Sequence, residues 1–98
     1  MAYRLKFLPE ALTEWRALDG SVKETLRKSL KKRLAQPHMP GAELHGELHG
    51  CYKIKLLKQG YRLVYAVEDD VLVVLVVAID KREDLAAYRS ALRRLSQR

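Results

Sequence analysis

Residues 51–67 read CYKIKLLKQGYRLVYAV, and this stretch decides the fold. Its apolar period is two. Tyr52, Ile54 and Leu56 point one way, while Cys51, Lys53 and Lys55 point the other. Lys58-Gln59-Gly60 supplies a turn. Tyr61, Leu63, Tyr65 and Val67 then alternate with Arg62, Val64 and Ala66. Directly opposed residues in a hairpin share a face, so the two apolar sets must oppose each other. That register sets Leu56 against Tyr61, Ile54 against Leu63 and Tyr52 against Tyr65. It also sets Lys55 against Arg62, with Lys53 next along the same face.

Downstream, Glu68-Asp69-Asp70 turns the chain. Val71 to Ile79 is apolar on both faces, which predicts a central buried strand. Asp84 to Ser96 reads as a helix, with Leu85, Tyr88, Leu92 and Leu95 as its apolar stripe. Upstream, Tyr3 to Leu8 reads as a short strand. Pro9 suits the first position of a helix, where no backbone N–H is needed. Ala11, Trp15 and Leu18 form that helix's stripe, and Asp19-Gly20 ends it. Ser21-Val22-Lys23-Glu24 has the capping-box pattern. Val22, Leu26, Leu30 and Leu34 follow at every fourth residue, and the helix stops before Pro37. A Gly/Pro-containing loop, Pro37 to Gly50, is expected to tuck in through Leu44 and Leu48. Its repeated Leu-His-Gly triplet is too short to be a structural unit. The order β-α-α-β-β-β-α predicts an α+β domain, with an antiparallel sheet and the helices packed on one face.

The chain has 98 residues, which predicts a single domain spanning 1–98. Val71 to Ile79 is the longest apolar run, at 9 residues. A membrane helix needs about 20. Charges at Arg4 and Lys6 interrupt what a signal peptide would keep apolar. The single cysteine, Cys51, excludes an internal disulfide and a Cys-rich zinc site. The expected location is therefore cytoplasmic. Nineteen Lys and Arg against twelve Asp and Glu leave a net charge of +7, which favours a polyanionic partner. Lys23, Arg27, Lys28, Lys31, Lys32 and Arg33 on the second helix, with Arg89 and Arg93 on the last, are candidate RNA-phosphate contacts.

Familiar catalytic sets are missing. His38, His45 and His49 all lie in or beside the loop and read as solvated; Gly46 and Gly50 argue against a helical metal pair. Cys51 reads as a buried strand residue, with no base beside it. No Gly-rich phosphate loop occurs. What remains is a cation cluster on one sheet face, Lys53, Lys55 and Arg62, with no acid among them. Lys81-Arg82 follows the central strand and can bring its charge to the same edge. Neighbouring cations repel unless an anion sits there. A phosphodiester suits such a site, because aimed cations stabilise charge developing on a phosphoryl group without a metal. Tyr88 lies on an apolar stripe, which reads as core; at the stripe's edge it can stack on a base or exchange a proton.

Several segments resemble the RelE toxin family. They are Ala11 to Leu18, Leu44 to Gly46, Cys51 to Leu56, Gly60 to Tyr65, and Lys81-Arg82-Glu83 followed by Tyr88. The resemblance implies a toxin of a type II toxin–antitoxin pair that enters the ribosomal A site and cuts mRNA there. The implied chemistry is attack by the ribose 2′-hydroxyl on the adjacent phosphate, with no metal or other cofactor. Lys53 and Lys55 match the family's catalytic lysines; one acts as base or both hold the phosphate. Arg62 matches the arginine that stabilises the transition state. Arg82 matches the one near the leaving oxygen, and Tyr88 the tyrosine that stacks on or orients the nucleotide. Implied partners are a RelB-like antitoxin, which docks in part on the C-terminal helix, the ribosome and mRNA, and operator DNA bound by the toxin–antitoxin complex. ParE-type toxins share the fold but lack the catalytic set and act on DNA gyrase. YoeB-like toxins use a C-terminal His, and no His follows His49. A third reading is a non-enzymatic nucleic-acid-binding module.

Overall fold

The computed structural model describes residues 2–81 and 85–97. The elements run β1 (Arg4–Phe7), α1 (Pro9–Arg16), α2 (Gly20–Ala35), a 3₁₀ turn (Gly46–Leu48), β2 (Cys51–Leu56), β3 (Tyr61–Glu68), β4 (Val73–Lys81) and α3 (Ala86–Ser96). The expected β2–β3 register is the observed one. Tyr52 faces Tyr65, Ile54 faces Leu63, Lys55 faces Arg62 and Leu56 faces Tyr61.

Strands follow the spatial order β1-β4-β3-β2. β1 pairs with β4 in parallel, from Arg4 opposite Val73 to Phe7 opposite Val76. The sheet is therefore mixed rather than wholly antiparallel. The β2-β3-β4 meander leaves one edge of β4 open, and β1 fills it. β4 starts at Val73 rather than Val71, because the preceding turn runs on through Leu72, which sits at φ 55°.

Helices cover both faces of the sheet, not one. Ala11 of α1 and Val22, Leu26 and Leu30 of α2 pack with Ile54, Leu63, Tyr65, Val74 and Val76. On the opposite face, Ala87 and Ala91 of α3 pack with Cys51, Val64, Val73, Leu75 and Val77. The cause is the double-faced apolar character of β4, which requires cover on each side. α3 is also rotated from the expected stripe. Ala87, Tyr88, Ala91 and Leu95 face the sheet, whereas Leu85 is 51% exposed.

The α2 start differs as well. The helix begins at Gly20 with Asp19 as its N-cap. Ser21 is then already inside the first turn, and no capping box forms. Its hydroxyl donates to the Asp19 carboxylate at 3.2 Å, and Glu24 pairs with Arg27 at 2.6 Å. A bulge interrupts β3–β4: Val64 faces Ala78 but Tyr65 faces Val76, so Val77 is one extra residue on β4. Beyond it, Arg62 faces Asp80.

Candidate active site

The site is built on the α3 side of the sheet. Its centre is Arg62, which β3 places between Lys55 on β2 and Asp80 on β4. Arg62 is only 7% exposed. The centre of the cation cluster is therefore buried rather than solvated, because α3 lies over it. Tyr88 projects from α3, and the Arg62 guanidinium carbon sits 4.5 Å from the centre of its ring. The ring's electron-rich face suits a guanidinium.

The Nε and Nη1 atoms of Arg62 are buried and have no hydrogen-bond partner among the described residues. A buried N–H without a partner costs about 1–3 kcal/mol. Such a group is suited to an incoming oxyanion. Lys53 is half-buried and Lys55 exposed on the neighbouring strand. Arg82 lies outside the described residues. One acid does stand beside the cations: the β4 register pairs Asp80 with Arg62, and its Oδ1 accepts from the Lys81 N–H at 2.8 Å.

Cys51 heads the same face of β2. Burial pushes its thiol up to about 11, which leaves little thiolate for nucleophilic chemistry.

The basic residues divide between the two faces of the molecule. Arg27, Lys28, Lys31 and Lys32 are exposed on α2, across the sheet from Arg62, with Lys23 half-exposed beside them. Arg89 and Arg93 are exposed on α3, on the site's side. Arg33 is turned inward. Its Nη1 donates to the Tyr65 hydroxyl at 2.8 Å and to the Lys53 carbonyl at 3.2 Å, so it ties α2 to the sheet. Arg94 is also not a surface cation. It forks onto Glu14 of α1 at 2.8 and 3.0 Å. The signal was present: Arg94 continues the spacing of Ala87 and Ala91, which marks the buried side of α3.

His38 is exposed but bonded. One ring nitrogen meets Asp69 and the other the Tyr52 hydroxyl, each at 2.8 Å. The Tyr3 hydroxyl donates to the same Asp69 carboxylate at 2.6 Å. His38 therefore fastens the loop to β2 and to the β3–β4 turn. Among the described residues, no group of three or more His, Cys, Asp or Glu is arranged to hold a metal ion.

Residues 5–86 match the family model described as the ParE toxin of the type II toxin–antitoxin system, parDE. The mRNA interferase toxin RelE of Escherichia coli is 45% identical over 95 residues, covering 97% of this chain and 99% of that protein. A mutant of the E. coli toxin RelE in the free state superposes with a TM-score of 0.88 at 44% identity, covering 97% and 99% of the two chains. The intact E. coli RelBE toxin–antitoxin complex gives 0.80 at 46% identity, covering 84% and 99%. The chain belongs to the RelE family, within the RelE/ParE toxins of type II toxin–antitoxin systems.

Proposed function

We propose that this protein is the toxin of a type II pair, a ribosome-dependent endoribonuclease that cuts mRNA in the ribosomal A site. The observation that carries the proposal is Arg62: a buried guanidinium, stacked on Tyr88, flanked by Lys55 and bearing N–H groups without partners among the described residues. The 45% identity to proteins named mRNA interferase RelE supports the same reading.

The reaction is a transesterification. The ribose 2′-oxygen attacks the adjacent phosphorus and gives up its proton, and the bond to the 5′-oxygen breaks. That oxygen takes a proton, leaving a 2′,3′-cyclic phosphate and a 5′-hydroxyl. Charge builds on the non-bridging oxygens, where Arg62, Lys53 and Lys55 supply fixed positive groups. Arg82 is assigned to the leaving oxygen on the family resemblance. Lysine and arginine are poor proton acceptors at neutral pH, so the site alone is a weak nuclease. Alignment of the message by the ribosome supplies the missing part, since positioning can remove much of a barrier.

The exposed cations of α2 and α3 are assigned to ribosomal RNA phosphates. The partner that restrains the toxin is a RelB-type antitoxin, as in the related RelBE complex. The apolar side of α3 is turned to the sheet, which leaves Leu85 as its most exposed large apolar residue and the candidate antitoxin contact on this helix. Repression of the pair's operator and a cytoplasmic location belong to the same proposal.

The family-model match favours one second reading, gyrase inhibition by a ParE-type toxin. One assay separates the two. Purified protein is added to messages with and without ribosomes, and in parallel to gyrase supercoiling reactions. Cuts confined to ribosome-bound message support the nuclease. Poisoned gyrase with intact message supports the alternative.

A further inference from the structure

Tyr88 reaches Arg62 only if α3 stays in place, and beside the partly buried Tyr88 and Leu95 the helix fully buries only small side chains. Its fully buried side chains are Ala87 and Ala91, which are small. Its N-cap residue, Leu85, makes no side-chain cap bond and sits in the left-handed region at φ 57°. A leucine there costs about 1–2 kcal/mol, so the helix start is strained rather than anchored.

A polar anchor lies at the other end. Arg94, with its side chain 9% exposed, bonds both carboxylate oxygens of Glu14, at 2.8 and 3.0 Å. Its Nη1 also donates to the Val77 carbonyl at 2.8 Å. Glu14 in turn accepts from the Ile79 N–H at 3.1 Å. These two backbone groups lie on β4 just beyond Val76, where β1 has ended at Phe7. They also flank Ala78, at the bulge. One ion pair thus closes the open edge of β4, pins the bulge, and joins α1 to α3. Past the bulge, β4 carries Asp80 opposite Arg62.

Resting on the nuclease reading for its functional consequence, we infer that the Glu14–Arg94 pair is the positioning device of the active site: it clamps α3 to the β4 bulge so that Tyr88 stays seated on Arg62. Arg94 is a positioning residue and does not touch the message. A forked guanidinium fits this task because it fixes orientation as well as distance.

Arg94→Lys keeps the charge but cannot span both Glu14 oxygens and the Val77 carbonyl. Glu14→Gln keeps an acceptor for Ile79 while removing the charge. Ribosome-dependent cleavage is measured for wild type, Arg94→Lys, Tyr88→Ala and the double variant. The expected result is a fall in kcat of about tenfold for Arg94→Lys with KM unchanged. The double variant should be no slower than Tyr88→Ala alone. Independent losses that multiply would overturn the inference. Amide hydrogen exchange supplies a readout that needs no activity. Residues 86–96 should exchange at least about tenfold faster in Arg94→Lys or Glu14→Gln, while Leu63 to Tyr65 stay as in wild type. Unchanged α3 exchange would refute the clamp even in a protein that cuts nothing. Wild-type protein that fails to cut refutes the nuclease reading, and exchange still decides the clamp.

Discussion

The guanidinium of Arg62 and the ring of Tyr88 lie 4.5 Å apart, centre to centre, on opposite sides of the interface between β3 and α3. The contact brings a strand cation and a helix aromatic together from positions 26 residues apart in sequence. It holds a buried charge whose Nε and Nη1 have no hydrogen-bond partner among the described residues. That arrangement suits an anionic ligand, and under the proposed function it sets stability against activity at one residue.

Arg62→Met tests that opposition. The variant removes a partly unsatisfied buried charge, worth about 1–3 kcal/mol of cost, and forfeits a cation–π contact of about 0.5–2 kcal/mol. Its melting temperature should equal or exceed that of wild type, while cleavage falls by about 10²–10³-fold. A melt several degrees lower would mean that Arg62 is a structural bond.

The Tyr88 ring and hydroxyl can be separated. Tyr88→Phe keeps the face that Arg62 rests on and should hold most of the wild-type rate. Tyr88→Ala removes it and should slow cleavage at least about tenfold, no less than loosening the helix that carries it. Equal losses in both variants would instead assign the work to the hydroxyl, as a proton carrier.

Gly60 sets the turn that brings Lys55 opposite Arg62. Its φ is +73°, and an added Cβ would meet nothing within 4 Å. The cost of Gly60→Val is therefore conformational only, about 1–2 kcal/mol. Chemical denaturation should show that loss with no change in the slope against denaturant. A neutral result would mean that the turn relaxes to another form.

Asp69 makes the fold sensitive to acid. The hydroxyl of Tyr3 and then the ring of His38 hold its carboxyl below the usual aspartate value. A carboxyl depressed in the folded state stabilises fully above its unfolded value, about pH 3.9. That contribution fades as pH falls through the lower folded value. Wild type should therefore melt above Asp69→Asn at pH 6, and the gap should narrow below about pH 4. A gap that widens in acid would reverse the assigned sign. Melting curves of both proteins across that range decide it.

The hairpin was legible because two apolar sets with period two can be paired in only one register. The α2 core face was legible for a similar reason, since Val22, Leu26 and Leu30 are large and evenly spaced. The placement of α3 was not. Its buried residues are Ala87 and Ala91, which carry little hydrophobic signal beside Leu85 and Leu92. The run Val71 to Ile79 was readable as a central strand, and its two apolar faces are what draw helices to both sides. Asp80 and the Glu14–Arg94 pair depend on the β4 register, and that register turns on the extra residue Val77. No local pattern among the unbroken valines, leucines and alanines from Val71 to Ala78 marks a bulge. Lys53, Lys55, Arg62 and Tyr88 could be named from the sequence. That Arg62 is buried beneath Tyr88 required the fold.

The most direct test of the proposed chemistry uses ribosomes stalled with a vacant A site on two messages. One is all-ribose, and the other carries a single 2′-deoxy nucleotide at the cut position. Primer extension maps the ends. Attack by the 2′-hydroxyl predicts cuts in the all-ribose A-site codon, dependent on ribosomes, and none in the deoxy message. Cleavage of the deoxy message, or equal cleavage of free RNA, would contradict the account.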